Sequence, residues 1–269
     1  MIGGCPLSIP KRPNAMRSSN PALSESVFHN FETYGDSTRM TVSGTAVKSM
    51  IAVLLVMLTA GLTWMRFQQA GGIGGNGAEA VMPLMLGGLI VGLIAFGVTM
   101  FKPNLAAWTT PVYALAEGCL LGGVSAFIQA RIPQQPIVFQ AVLLTFGTLF
   151  VMLTVYQSGL IRVTDKLRMG IVAATGAIAL LYLASFVMRF FGMQIGFIHS
   201  AGPLGIGFSL FVVGLAAFNL LLDFDLIDRM AASGAPKHME WYGAFALLVT
   251  LVWLYMEILR LLSKLNRRD

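Results

Sequence analysis

The sequence predicts an all-α polytopic membrane protein, about seven transmembrane helices packed in one bundle. Three observations carry that expectation. The 269 residues are 56% hydrophobic and only 11% charged, against about 45–50% and about 25% in soluble domains. Too little polar surface remains to face water, so lipid must be the solvent. Seven apolar windows each run about 20 residues, the length that crosses about 30 Å of hydrocarbon as a helix. Turn and breaker chemistry separates them.

The windows are 45–66, 80–101, 109–130, 138–161, 169–191, 203–224 and 241–264. Between them lie GGIGGNG (71–77), KPN (102–104), RIPQQP (131–136), RVTDKLR (162–168), FGMQIGFIHSAGP (191–203) and ASGAPKH (232–238). Barrel strands would instead alternate polar and apolar residues over about 10 positions. Residues 44–265 therefore read as one transmembrane domain. Residues 1–43 are polar and mixed, without the charged start, apolar core and cleavage site of a secretory signal. They read as a flexible cytoplasmic tail with one short helix around Leu23–Phe31. Gly88 and Gly92, and Gly118 and Gly122, have the four-residue spacing that lets helices approach closely in lipid.

Lys and Arg in the loops set orientation. With the amino terminus in the cytoplasm, eleven of the 18 basic residues fall on that side and three in outer loops. The last four, Arg260, Lys264, Arg267 and Arg268, lie at the carboxyl end, which seven spans would put outside. That conflict leaves a six-span or re-entrant arrangement open.

The net charge of +6 is dispersed over short loops and the tails, whereas nucleic-acid binders cluster theirs. No nucleic-acid partner is expected. Cys5 in the tail and Cys119 in an apolar run read as free thiols. There is no HExxH, His29, His199 and His238 are scattered, and GGIGGNG lacks the GK[ST] of a phosphate cradle. Ser125 lacks the flanks of a nucleophile elbow. The expectation is a protein that is not an enzyme and has no cofactor.

Ionisable residues inside spans remain. A charge at the bilayer centre costs about 2.5–3.5 kcal/mol on insertion scales, so its presence points to function. Glu117, in YALAEGCLLGG, lies about 12 Å into the third window. Asp223 closes the sixth in NLLLDFDLID, with Asp225 and Asp228 expected in the following loop. Three acids at a helix carboxyl end oppose its dipole, so a cation or proton explains them better than helix stability does. Glu257, in WLYMEILRLL, is spaced to pair with Arg260 at i+3. Lys48 and Arg189 read as snorkelling anchors at span ends.

RMTVSGTAVKSM, PVYALAEGCLLGGVSAF, FIHSAGPLGIGFSL, NLLLDFDLID and EWYGAFALLVTLVWLYMEILRLLSKL together resemble the Bax inhibitor-1 family over residues 40–265, and most closely its bacterial YccA-like members. The resemblance implies a seven-helix bundle with the last helix at its centre, in the bacterial inner membrane. It also implies one of two activities. One is a pH-sensitive calcium leak, with Ca2+ as the transported ion. The other is binding and restraint of a membrane AAA+ protease such as FtsH. In the leak members the sixth-span Asp pairs with an Asp in the last helix, in a pattern like LYxDxxNLF. The first Asp corresponds to Asp223; Thr250 stands at the second and Trp253 at the Asn. Glu257 lies two turns beyond Thr250, about 10 Å along the helix. The ion or proton candidates are thus Glu117, Asp223 and Glu257, with Asp225, Asp228 and Thr250 secondary.

Overall fold

The computed structural model describes residues 39–192 and 200–266. The expected helix at Leu23–Phe31, and Cys5, His29 and His199, lie outside the described residues. Seven helices are long and apolar enough to cross a membrane: α1 (Val42–Gln69), α2 (Gly77–Phe101), α3 (Ala106–Arg131), α4 (Ile137–Gln157), α5 (Asp165–Phe190), α6 (Pro203–Ala232) and α7 (Met239–Leu265). All seven expected spans are present as helices long and apolar enough to cross.

Local chemistry sets the helix ends. Thr41 caps α1 by accepting from the Gly44 amide, and Thr164 caps α5 by accepting from Leu167. Pro203 opens α6, where its missing N–H costs no hydrogen bond. Gly159 and Gly234 follow α4 and α6 at φ +67° and +72°, the left-handed turn that ends a helix and that side chains disfavour. The α4 window accordingly closes at Gln157 and not at 161.

α7 is the most buried span and packs on α1, α3, α4 and α6. Its two faces serve two cores. Leu251, Leu254 and Ile258 join Ile137 of α4 and Leu220 of α6. Phe245 and Leu248 join Ala52 of α1, Ala95 of α2 and Tyr113 of α3. α2 packs on α1 and α3, and the backbone of α5 packs chiefly on α6. Apolar side chains such as Phe101, Trp108, Phe150 and Phe186 point outward, as a lipid-solvated surface requires.

α3 lies against α1 so closely that a Cβ on Gly118 would strike the Val56 carbonyl, and one on Gly122 the Ala60 carbonyl. Gly88 of α2 meets the Ala116 carbonyl in the same way. Van der Waals contact, not water exclusion, holds helices together in lipid, and small residues maximise it.

The sixth helix departs from expectation. It does not end at Asp223, and Asp225 and Asp228 are not loop residues: α6 continues to Ala232. Arg168 of α5 pairs with Asp225 at 2.8 Å, Arg229 pairs with it from one turn on, and Tyr156 of α4 donates to Asp228 at 2.7 Å. The two arginines neutralise Asp225, Tyr156 hydrogen-bonds Asp228, and Arg229 in the last turn suits the dipole.

Alternating crossings place the start of α1 and the end of α7 on opposite faces, so reporters fused after Arg168 and after Asp269 should read from opposite sides. Gly118→Ala should lower stability by about 1–3 kcal/mol, the range for overpacking. Gly97→Ala, with nothing within 4 Å of its new methyl, should match or exceed wild type in thermal unfolding in detergent.

Candidate functional site

Asp223 lies nine residues before the end of α6, about 13 Å inside it. Thr250 lies eleven residues into α7, which enters from the same face, about 16 Å deep. The structure brings the two together: the Thr250 hydroxyl stands against the Asp223 carboxylate while bonding the Ala246 carbonyl at 3.3 Å. The other carboxylate oxygen, Oδ2, is buried and has no hydrogen-bond partner; it is the one such side-chain atom among the described residues. An unpaired buried oxygen costs about 1–3 kcal/mol or more, so its presence calls for a ligand, proton or water.

Glu117 sits elsewhere. α3 begins at Ala106, earlier than the apolar window, so Glu117 is about 16 Å deep. Its carboxylate lies in the α2–α3 groove, with Oε2 3.3 Å from where a Cβ on Gly92 would be. It makes no hydrogen bond or ion pair among the described residues, and Tyr113 stands nearby. α3 does not pack on α6, so Glu117 and Asp223 are not gathered into one site. No group of three potential metal ligands occurs among the described residues.

Glu257 is 1% exposed and fully engaged. Arg260 reaches both its oxygens at 3.0 and 3.1 Å, the expected i+3 pair. Tyr182 of α5 donates to it at 3.0 Å and accepts from Arg260 at 2.6 Å. Lys264 is buried one turn on, donating to the Gly205 carbonyl and the Ser209 hydroxyl of α6 at 3.0 and 2.8 Å. Two of the four basic residues at the carboxyl end thus have structural partners: Arg260 and Lys264 tie α7 to α5 and α6.

One cluster was not singled out in the sequence. Glu240, 1% exposed in the first turn of α7, accepts from the backbone and hydroxyl of Thr41 at 3.0 and 3.1 Å. It also pairs with Lys48 of α1, which lies over the Trp241 ring. Lys48 is therefore an ion-pair partner and not a snorkelling anchor. Gly44 makes room, since a Cβ there would collide with the Glu240 carboxylate. Met40 is pinned beside it by a 2.7 Å bond to the Ala235 carbonyl. His238, just before α7, adds no cation at pH 7: burial holds its imidazole below the usual value. The legible signal was Lys48 spaced seven residues from the Thr41 cap, on one helix face.

The chain matches the family described as Bax inhibitor 1 like over residues 20–267. It belongs to the Bax inhibitor 1-like family. No curated protein and no solved structure matched it in the corresponding comparisons. The family match spans Glu117, Asp223, Thr250 and Glu257, and it begins 20 residues before the part of the chain that carries the motif resemblance.

In this Bax inhibitor-like bundle the Lys48–Glu240 pair is structural. Lys48→Met takes the cation from the buried Glu240 carboxylate, leaving it the Thr41 donors, and should destabilise by about 3–5 kcal/mol. Adding Glu240→Gln should recover most of that loss, read as thermal unfolding of the single and double variants.

Proposed function

We propose that this Bax inhibitor-like membrane protein passes or senses cations, with Asp223 as the carboxylate that meets them. The supporting observation is its Oδ2 atom, buried in the bundle without a partner. Every other acid within α6 and α7 has a hydrogen-bonded or ionic partner: Asp225, Asp228, Glu240 and Glu257. Glu117 is a second, separate intramembrane carboxylate. Calcium prefers six to eight oxygen ligands, and one carboxylate, a hydroxyl and helix carbonyls make a weak site suited to a leak. The protein works without covalent chemistry or a cofactor. The basic loops favour a cytoplasmic amino terminus, and the motif resemblance favours a YccA-like protein of the bacterial inner membrane.

With Thr250 in place of a second acid, Asp223 titrates alone. Two carboxylates in contact would lose protons in two coupled steps. In liposomes holding purified protein, Asp223→Asn should slow calcium efflux about tenfold or more, equivalent to about 1.4 kcal/mol of lost cation stabilisation. Thr250→Asp should split the pH profile of efflux into two steps across about pH 5.5–8, and Glu257→Gln should leave it unchanged. Efflux that is insensitive to Asp223→Asn overturns the assignment. Gating lost in Glu257→Gln and unaltered in Thr250→Asp makes Glu257 the working acid instead.

A second reading has its own observation. Glu240 grips Thr41 and Ala235 holds Met40, so the chain enters α1 docked against the α6–α7 turn. A protein that restrains a membrane AAA+ protease needs its tail presented at a fixed place. Removal of residues 1–38 should then abolish protease co-purification and spare ion flux; unchanged co-purification excludes this reading.

A further inference from the structure

Polar side chains join helices at several places, and between α5, α6 and α7 they recur in a regular series. At the α1–α3 interface the hydroxyls turn back on their own helix: Thr59 to Leu55, and Thr63 to Thr59. Between α5, α6 and α7 they reach across. On α5, Arg168, Thr175 and Tyr182 recur every seven residues, two turns apart on one face. On α7, Thr250, Glu257 and Lys264 recur at the same interval. Each member bonds or faces a different helix. Arg168 reaches Asp225, Thr175 accepts from Asn219 at 2.9 Å, and Tyr182 meets Glu257 and Arg260. Thr250 faces Asp223, and Lys264 meets Ser209.

These contacts form rungs along α6 from Asp225 through Asp223 and Asn219 to Ser209. Sixteen residues at 1.5 Å each make about 24 Å, most of a bilayer core of about 30 Å. Polar groups in spans are costly and, where they persist, face the bundle interior or a water-filled path. Between the Asn219 and Ser209 levels an apolar layer interrupts the series. Trp253 sits on α7 between the Thr250 and Glu257 levels and packs against the cluster of Ile171, Ile178, Val212 and Leu215. α5, whose main backbone contact is with α6, is the wall best able to yield.

We infer that the α5–α6–α7 seam is a route that hydrates between Asp223 and the face where Lys264 lies, closed in this conformation by the apolar layer to which α7 contributes Trp253. The route rests on Asp223 as the cation or proton site, and it names the residues through which that site reaches one side of the membrane. Asn219 and Thr175 are its middle rung. Glu257, Tyr182 and Arg260 form its outer rung, holding α5 to α7.

The test is thiol accessibility in the full chain, in a Cys5→Ser and Cys119→Ser background, reconstituted in liposomes. The probe is a membrane-impermeant cationic methanethiosulfonate. Thr175→Cys and Asn219→Cys report the same rung from two helices, so one remains if the other misfolds. Val172→Cys and Leu180→Cys, outward on α5, are the controls. Only the thiolate reacts, and a thiol against hydrocarbon stays protonated, so the seam positions should react about tenfold faster than the controls. Trp253→Leu should accelerate them further, with reagent on the Lys264 face. Seam positions no faster than the controls overturn the route, and an unchanged rate in Trp253→Leu overturns its role as the closure. Labelling without ion flux retains the route and rejects conduction; flux without labelling rejects the route alone.

Discussion

Hydrocarbon offers no hydrogen bonds, and this one constraint orders the structure. Each polar atom within a span must find its partner inside the bundle. The chain meets that demand by placing α7, which carries Glu240, Glu257, Arg260 and Lys264, at the centre. Glu240 there is answered by Thr41 and Lys48, Glu257 by Tyr182 and Arg260, and Lys264 by Gly205 and Ser209. Four helices, α1, α2, α4 and α5, carry mostly lipid-facing residues. Their stability comes from close backbone approach, as at Gly118 and Gly122, or from the polar rungs of α5.

Against that background Asp223 is the exception that gives the site its meaning. An oxygen left without a partner in a fold that satisfies its neighbours has a cost without a structural return. Fixed partners would also compete with a passing cation for the carboxylate. The same logic separates Asp223 from Glu257. Glu257 is locked by an arginine and a tyrosine at one end of the bundle, a poor place for an exchangeable ion. Glu117, unpaired in the groove between α2 and α3, shares the exposure of Asp223 to function but not its location.

Much of this was legible in the sequence, because span length and the absence of charge follow directly from bilayer thickness. The seven helices, the Gly88, Gly92, Gly118 and Gly122 contacts and the Glu257–Arg260 pair depend on spacing within one helix, which sequence records. What it does not record is partnership across helices. Asp225 and Asp228 read as loop acids because Arg168 and Tyr156, which keep α6 helical around them, are 57 and 72 residues away. Lys48 read as an anchor because Glu240 is 192 residues distant. Lys264 read as part of a topology signal because its partners, Gly205 and Ser209, belong to the previous helix.

The thermal stability of Asp223→Asn in detergent, set beside that of Glu240→Gln, bears most directly on the claim that Asp223 is held for function and not for the fold. An amide in place of an unpaired buried carboxylate removes a desolvated acid without removing a bond. The account predicts that Asp223→Asn unfolds at or above the wild-type temperature, whereas Glu240→Gln unfolds well below it. A loss of stability in Asp223→Asn comparable to that of Glu240→Gln would contradict it and make Asp223 a structural partner like the other acids.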